Sequence, residues 1–286
     1  MLERISAETG LIALLGNPAK HSISPKMHNF AFKQLGLDYV YLAFEVKEDQ
    51  LYESVQGLKS LGAIGFNVTM PYKESVIPFL DDVTEEAKLC EAVNTVKNDH
   101  GRLIGYNTDG MGFVMALNEE GVKIQGKKFS VIGAGGAAKS IVIRLAMEGA
   151  SAITLFNRSQ ASANHLVQVI RDNIPDCRIN WSEIDMAKMK TACRESEALI
   201  NTTNVGMGEL INKSVVTDSG VFHKGLLVAD IIYSPPKTRL LEEAEKSGCR
   251  IMNGLGMIVG QGALAFHIWT GKEMPIALVK EAVIRN

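Results

Sequence analysis

A short strand-like segment, Phe129-Ser-Val-Ile132, gives way to Gly133-Ala-Gly135-Gly136-Ala-Ala138 and then to helical apolar spacing over Ala137–Met147. A chain with this order must turn sharply at the end of a buried strand and enter a helix at once. Glycine at the turn lets backbone N–H groups approach an anion at the positive end of the helix. A small residue at the third position, here Ala138, lets helix and strand pack closely. A second such segment, Ile153–Phe156, completes one βαβ unit. A glycine-rich turn alone is a weak signal. In this strand–turn–helix context it points to the pyrophosphate of a dinucleotide rather than to a plain tight turn.

The end of the next strand selects the dinucleotide. NAD sites place a carboxylate there for the ribose 2′-OH, whereas NADP sites use an arginine. This strand ends Phe156-Asn157-Arg158-Ser159-Gln160, with no acidic residue. Arg158 can pair with a 2′-phosphate in bidentate fashion, and Asn157 and Ser159 can add hydrogen bonds. The competing reading is a solvated arginine at a helix start. The position where specificity is decided favours NADP over NAD.

Elsewhere short apolar runs alternate with helix-period segments, which predicts an α/β chain with mostly parallel sheets. Strands are expected at Leu11–Leu15, Tyr39–Phe44, Ile64–Val68, Val93–Val96, Leu103–Tyr106, Ala198–Ile200, Leu226–Ile231 and Arg250–Met252. Helices are expected at Pro25–Leu35, Asp49–Leu61, Met257–Trp269 and Ile276–Ile284, with Ser24 as a plausible N-cap and Gly36 as a stop for the first. An Asn98-Asp99-His100-Gly101 turn joins two of the strands. A length of 286 residues fits about two domains. The expected division is 1–110 plus the terminal helices 257–286, and 111–256 around the glycine turn.

Composition removes several classes of function. Thirty Lys and Arg against 32 Asp and Glu give a net charge of −2, without the basic field that nucleic-acid or anionic-membrane binding needs. No apolar run reaches the length of a membrane span or a secretory signal, so a cytoplasmic setting with reduced thiols is expected. Cys90, Cys177, Cys193 and Cys249 form no C-x-x-C pair. His21 and His28 lie seven apart with no carboxylate or cysteine to complete a ligand set, so no metal site is expected.

Polar residues cluster after strands in the first part, where α/β sheets bind ligands. Ser22 and Ser24 follow the first strand, Thr69 and Lys73 the third, and Asn94 and Asp109 flank the Val96 and Tyr106 strand pair. Each has a dull reading taken singly: a helix cap for Ser24 or Asp109, a solvated ammonium for Lys73. Together they suit a polyhydroxylated small molecule.

Ser22-Ile-Ser24-Pro25, Asn67-Val-Thr69-Met-Pro71-Tyr-Lys73, Ala92-Val-Asn94-Thr95 and Tyr106-Asn-Thr-Asp109-Gly110 resemble the signature blocks of the shikimate dehydrogenase family. Gly133–Ala137, Asn157-Arg158-Ser159, Asp230-Ile-Ile-Tyr233 and Gly254-Leu-Gly256-Met257 with Gln261 continue the resemblance in order, from about Gly16 to Trp269. It implies an N-terminal catalytic domain, a C-terminal Rossmann domain and a substrate cleft between them. It implies that Ser22 and Ser24 bind the substrate carboxylate with Tyr233 nearby. Thr69, Lys73, Asn94, Asp109 and Gln261 then meet the ring hydroxyls, with Lys73 and Asp109 as the catalytic pair. Gly133, Ala134, Gly135, Gly136, Ala137, Asn157, Arg158 and Ser159 would hold the cofactor phosphates and ribose, with Ile231 and Gly254 near the nicotinamide. The implied reaction is reversible, NADP(H)-dependent reduction of 3-dehydroshikimate to shikimate, a step of aromatic amino-acid (chorismate) biosynthesis. Only small-molecule partners are implied, and the assembly is left open between monomer and homodimer.

Phe44-Glu45-Val46, Lys224-Gly225-Leu-Leu-Val and Trp269-Thr-Gly271-Lys272 are similar to the quinate/shikimate dehydrogenase branch, which takes quinate and often NAD. That branch carries an aspartate soon after its Asn-Arg pair. Gln160 stands there in this chain, and Thr69 stands where the branch can carry serine. Asn253 precedes Gly254 where an aspartate is common. A non-catalytic sensor of NADP(H) and a shikimate-like metabolite is a third reading, against which the retained Lys73, Asp109 and serines argue.

Overall fold

The computed structural model describes residues 5–284. Contacts divide the chain into two compact units, Met1–Thr108 with Val259–Asn286, and Asp109–Ile258.

The first unit begins with β1 (Gly10–Gly16), α1 (Ser24–Leu35), β2 (Tyr39–Glu45), α2 (Leu51–Ser60) and β3 (Gly65–Val68). It continues through β4 (Asp82–Val83), α3 (Glu85–Cys90), β5 (Thr95–Asp99) and β6 (Arg102–Tyr106). The sheet order is β2-β1-β3-β5-β6-β4. β1 is parallel to β2 and β3, whereas β5 runs antiparallel to both β3 and β6. The predicted turn closes the β5–β6 hairpin, with Asn98 Oδ1 accepting the Gly101 N–H at 2.8 Å. Apolar side chains of β1, β3, β5 and α2, including Leu15, Val55, Phe66, Val68 and Val96, form one core of this unit.

The second unit holds α4 (Asp109–Glu119), β7 (Lys128–Ile132), α5 (Gly136–Met147), β8 (Ala152–Phe156), α6 (Gln160–Asn173) and β9 (Arg178–Ser182). Next come α7 (Met186–Cys193), β10 (Ala198–Asn201), β11 (Leu227–Asp230), α8 (Arg239–Lys246) and β12 (Arg250–Met252). The strand order β12-β11-β10-β7-β8-β9 is parallel throughout. Counted from β7 this is the 3-2-1-4-5-6 order of the doubly wound dinucleotide-binding fold. Its inner strands β7, β10 and β11 are buried nearly along their whole length, as a parallel sheet requires, and so read as mostly apolar runs.

α9 (Leu255–Thr270) belongs to the first unit from Val259 onward, followed there by α10 (Ile276–Ile284). The Trp269 indole N–H donates to the Val96 carbonyl at 2.9 Å, which seats the end of α9 on the first sheet. No helix among the described residues is long and apolar enough to cross a membrane.

Of the boundaries that differ from the sequence reading, two bear on the site. The N-cap of α1 is Ile23, which makes no side-chain cap, and Ser24 is the first helical residue. Its amide is taken instead by Ser22 Oγ at 3.2 Å. The hairpin strand β5 begins at Thr95 rather than Val93, because the Val93 and Asn94 amides bond to Lys73 and Tyr106 carbonyls before the ladder begins. Gly36 does stop α1, in the left-handed conformation.

Candidate active site

In the first unit the strand directions bring the polar residues to one edge. β1 and β3 are parallel neighbours and end together, Leu15 beside Val68. β5 starts where β3 ends, with Thr95 opposite Asn67, and β6 ends there too, with Tyr106 opposite Thr95. The loop of Ser22, the loop of Thr69 and Lys73, and residues Asn94, Asn107 and Thr108 therefore share that edge. Backbone bonds tie them: Thr69 N–H to the Leu15 carbonyl at 2.9 Å and Val93 N–H to the Lys73 carbonyl at 2.8 Å. Ser22, Ser24, Thr69, Lys73 and Gln261 are half-buried, and Asn94 is buried.

Asn94 organises this edge. Its Oδ1 accepts the Thr108 N–H at 2.9 Å and the Thr95 hydroxyl at 3.1 Å. Its Nδ2 reaches Thr108 Oγ1 at 2.9 Å and Gln261 Oε1 at 3.4 Å. Asn67, buried in β3, donates from Nδ2 to the Asn94 carbonyl and to Thr95 Oγ1, both at 2.9 Å, and accepts the Tyr41 hydroxyl at 2.7 Å. Asn67, Thr95, Thr108 and Tyr41 were not among the residues singled out from sequence. The available signal was an asparagine inside the apolar run Phe66-Asn67-Val68, since an amide goes into a core only with its bonds satisfied.

Asp109 is buried and opens α4, directly after Thr108, which Asn94 holds. Asp109 and Tyr233 fall in the second unit, as do Ile231 and Gly254. Ile231, Tyr233 and Gly254 are placed by Asp230 at the end of β11, whose carboxylate accepts from Ile232 N, Thr238 Oγ1 and Asn201 Nδ2 at 3.1, 2.8 and 3.1 Å. Burial nevertheless raises the Asp230 carboxyl above the usual range, the three hydrogen bonds pulling the other way. A Cβ on Gly254 would lie 1.9 Å from the Ile231 carbonyl oxygen, so only glycine admits this approach.

The glycine turn sits at the switch point between β7 and β10, where a doubly wound sheet binds its ligand. Gly133 has φ +110°, and a Cβ there would stand 2.4 Å from Thr202 Oγ1. The first turn of α5 has Gly135 at the N-cap and no side-chain cap, so its amides face outward for an anion. At the end of β8, Asn157 Nδ2 bonds the Ser159 carbonyl and Ser159 caps α6. Arg158 is exposed and has no ion pair or hydrogen bond among the described residues. A free guanidinium with no nearby carboxylate on its own loop fits a dinucleotide bearing a 2′-phosphate. Asn253 is accounted for as well: its Oδ1 accepts the Leu255 N–H at 3.1 Å and its Nδ2 donates to the Pro236 carbonyl at 2.9 Å. An aspartate could make only the first bond.

No group of three His, Cys, Asp or Glu among the described residues is arranged to hold a metal. His28 is fully buried, stacked on Tyr41 with ring centroids 4.6 Å apart, and neither of its nitrogens is hydrogen-bonded. Burial holds its pKa down at about 3. The four cysteines are buried and form no disulfide.

A parallel doubly wound unit with a glycine turn, joined to an α/β unit that gathers hydroxyls, amides and an ammonium at one strand edge, defines a dinucleotide-dependent oxidoreductase class. Comparison with known proteins narrows it. Residues 14–96 match the shikimate dehydrogenase substrate-binding domain, 115–236 the shikimate/quinate 5-dehydrogenase family and 254–284 the shikimate 5′-dehydrogenase C-terminal domain. The NADP(+) shikimate dehydrogenase of Alkaliphilus metalliredigens is 50% identical over 281 residues, 98% of each chain. A crystal structure of the Listeria monocytogenes shikimate 5-dehydrogenase with shikimate and NAD superposes with TM-score 0.95 at 45% identity, covering 98% of both chains. A shikimate dehydrogenase solved with NADP+ gives TM-score 0.91 at 40% identity, covering 99% of this chain and 97% of its own. The chain belongs to the shikimate dehydrogenase family.

Proposed function

We propose that this chain is an NADP-dependent shikimate dehydrogenase that interconverts 3-dehydroshikimate and shikimate. The observation that carries the reading is the unpaired Arg158 after β8, at the place where an NAD enzyme carries a carboxylate, in a chain that also gathers Ser22 to Gln261 at one sheet edge. Unit Asp109–Ile258 binds the dinucleotide, through the Gly133–Ala137 turn, Asn157, Arg158 and Ser159, with Ile231 and Gly254 beside the nicotinamide. The other unit binds substrate. Ser22 and Ser24 take the carboxylate, and Thr69, Asn94 and Gln261 take ring hydroxyls; Tyr233 is a further substrate-binding residue. Its setting is the cytoplasm.

NADPH, held by the Gly133–Ala137 turn with Asn157, Arg158 and Ser159, would supply a hydride to the ring ketone carbon. The ketone oxygen then gains negative charge, which the Lys73 ammonium neutralises by donating a proton. Asp109 is the second catalytic group. In the reverse direction neutral Lys73 takes the hydroxyl proton as the hydride leaves the ring carbon. Quinate adds a hydroxyl at the carboxylate-bearing carbon, so the hydrogen-bonding capacity of the serine loop decides between the two acids.

Initial rates with shikimate and quinate, each against NADP and NAD, test the reading. The highest kcat/KM is expected for shikimate with NADP, and a clear preference for quinate with NAD would replace it. Lys73→Ala and Asp109→Ala should each lower kcat by roughly 100-fold or more. Ser22→Ala should instead raise KM for shikimate.

A further inference from the structure

The hydrogen bonds of the buried amides in the first unit run in one direction, and donor counting fixes it. The Asn94 carbonyl can only accept, so the atom of Asn67 that faces it at 2.9 Å is Nδ2. Asn67 Oδ1 therefore faces the Tyr41 hydroxyl, which donates to it at 2.7 Å. The other Nδ2 proton of Asn67 goes to Thr95 Oγ1 at 2.9 Å. Thr95 accepts on that side and turns its own proton to Asn94 Oδ1 at 3.1 Å. The Thr108 N–H, which can only donate, meets the same oxygen at 2.9 Å. With two donors on Oδ1, Nδ2 is the end of the Asn94 amide that reaches Thr108 Oγ1 at 2.9 Å and Gln261 Oε1 at 3.4 Å. Tyr41 and Thr95 are fully buried and Asn67 nearly so, which keeps the series away from solvent.

We propose that Thr95, set by Asn67 behind it, is a positioning residue that holds the Asn94 amide with its N–H end toward the substrate. The proposal rests on the functional reading above, in which Asn94 takes a ring hydroxyl. An unrestrained amide can offer either end, and the two ends recognise different groups: the N–H end needs a lone pair, the carbonyl end a proton. A flipped Asn94 would set Nδ2 against the Thr108 N–H and the Thr95 hydroxyl, donor against donor in a buried place. The hydroxyl of Thr95 thus makes this subsite a reader of oxygen lone pairs. Because each group in the series donates to the next, the series also polarises the Asn94 amide and strengthens its outward N–H. Fully buried, Thr95 acts through Asn94 rather than on substrate.

Thr95→Val keeps the shape of the side chain and deletes the hydroxyl, whereas Thr95→Ser keeps the hydroxyl and deletes the methyl. The KM for shikimate, and its affinity read by titration calorimetry, should weaken about tenfold in Thr95→Val and stay within about twofold of wild type in Thr95→Ser. The KM for NADP should be unchanged in both. A role confined to packing predicts the reverse order, with serine the worse variant. In an Asn94→Ala background Thr95→Val should weaken shikimate binding no further, because the two residues act in series. Serine worse than valine, or an equal loss with and without the Asn94 side chain, would overturn the proposal. Should Thr95→Val fold poorly, the wild type carries the test by NMR. Its Thr95 hydroxyl proton should be protected from exchange with solvent, and the Asn94 Nδ2 protons should shift when shikimate binds. A freely exchanging hydroxyl or an unmoved amide ends the proposal. If the wild type turns over shikimate with NADP and Thr95→Val does so equally well, the positioning role falls and the functional reading stands. Absence of shikimate binding by the wild type would remove both.

Discussion

The proposed cofactor preference rests on one side chain, Arg158, so its removal is a sharp test. A bidentate charge-assisted pair contributes roughly 1.5–3 kcal/mol, which corresponds to about 10–150-fold in affinity. Arg158→Ala should therefore raise KM for NADP by at least tenfold and leave the slower reaction with NAD unchanged. A matched loss with both dinucleotides would mean that Arg158 serves the loop and not the 2′-phosphate. At this scale legibility followed exposure and charge. Arg158, Lys73 and the serine pair stand out because ionic or hydroxyl groups at strand ends have few structural reasons to be there. Asn67, Thr95 and Tyr41 do not stand out, because their meaning is a partner 26 to 28 residues away, set by strand pairing. Asn253 shows the same limit: its second bond goes to a carbonyl 17 residues earlier, on a loop whose path a sequence does not reveal.

Elements were readable where burial makes them so. The strands β1, β3, β7, β8, β10 and β11 are apolar runs because both faces are covered, and most helices announce themselves by periodicity. β9 is the exception among the Rossmann strands: as an edge strand it alternates Arg178-Ile-Asn-Trp-Ser with partly exposed positions, and its apolar content is too thin to register. α3, α6, α7 and α8 are short or strongly polar, and the starts of α6, α7 and α8 are fixed by capping by Ser159, Asp185 and Thr238. Thr238 is the most exacting of these caps. Its hydroxyl accepts the Leu241 N–H of α8 and donates to Asp230 while fully buried. Thr238→Val should thus cost about 2–4 kcal/mol, the sum of a lost cap and an unsatisfied buried carboxylate. Denaturant unfolding measures this, and a loss below about 1 kcal/mol would show that the loop relaxes without it. Gly133→Ala tests the other end of the unit. A φ of +110° and a Thr202 oxygen at 2.4 Å leave no room for a Cβ. NADP affinity should fall at least tenfold, more than global stability does, because the turn that moves is the one proposed to face the pyrophosphate.

The stability of the whole molecule should depend on pH through a residue that takes no part in the chemistry. His28 is buried without a partner, and its pKa is held near 3 in the fold against 6.5 when free. Between those values the unfolded chain binds a proton that the folded chain refuses. The stabilisation is complete above pH 6.5 and is lost as pH falls, by up to about 1.4 kcal/mol per unit. Asp230 works in the opposite sense: its raised carboxyl pKa means the folded chain binds the proton more tightly, so its contribution improves as pH falls through the folded value. The two can be separated by substitution. His28→Phe retains a ring for the stack on Tyr41 and removes the titration, so its unfolding free energy should fall less steeply than that of the wild type between pH 6.5 and 4. If both proteins lose stability in parallel over that window, the acid limb has another source, and the unpartnered imidazole is not what ties the first unit's core to pH.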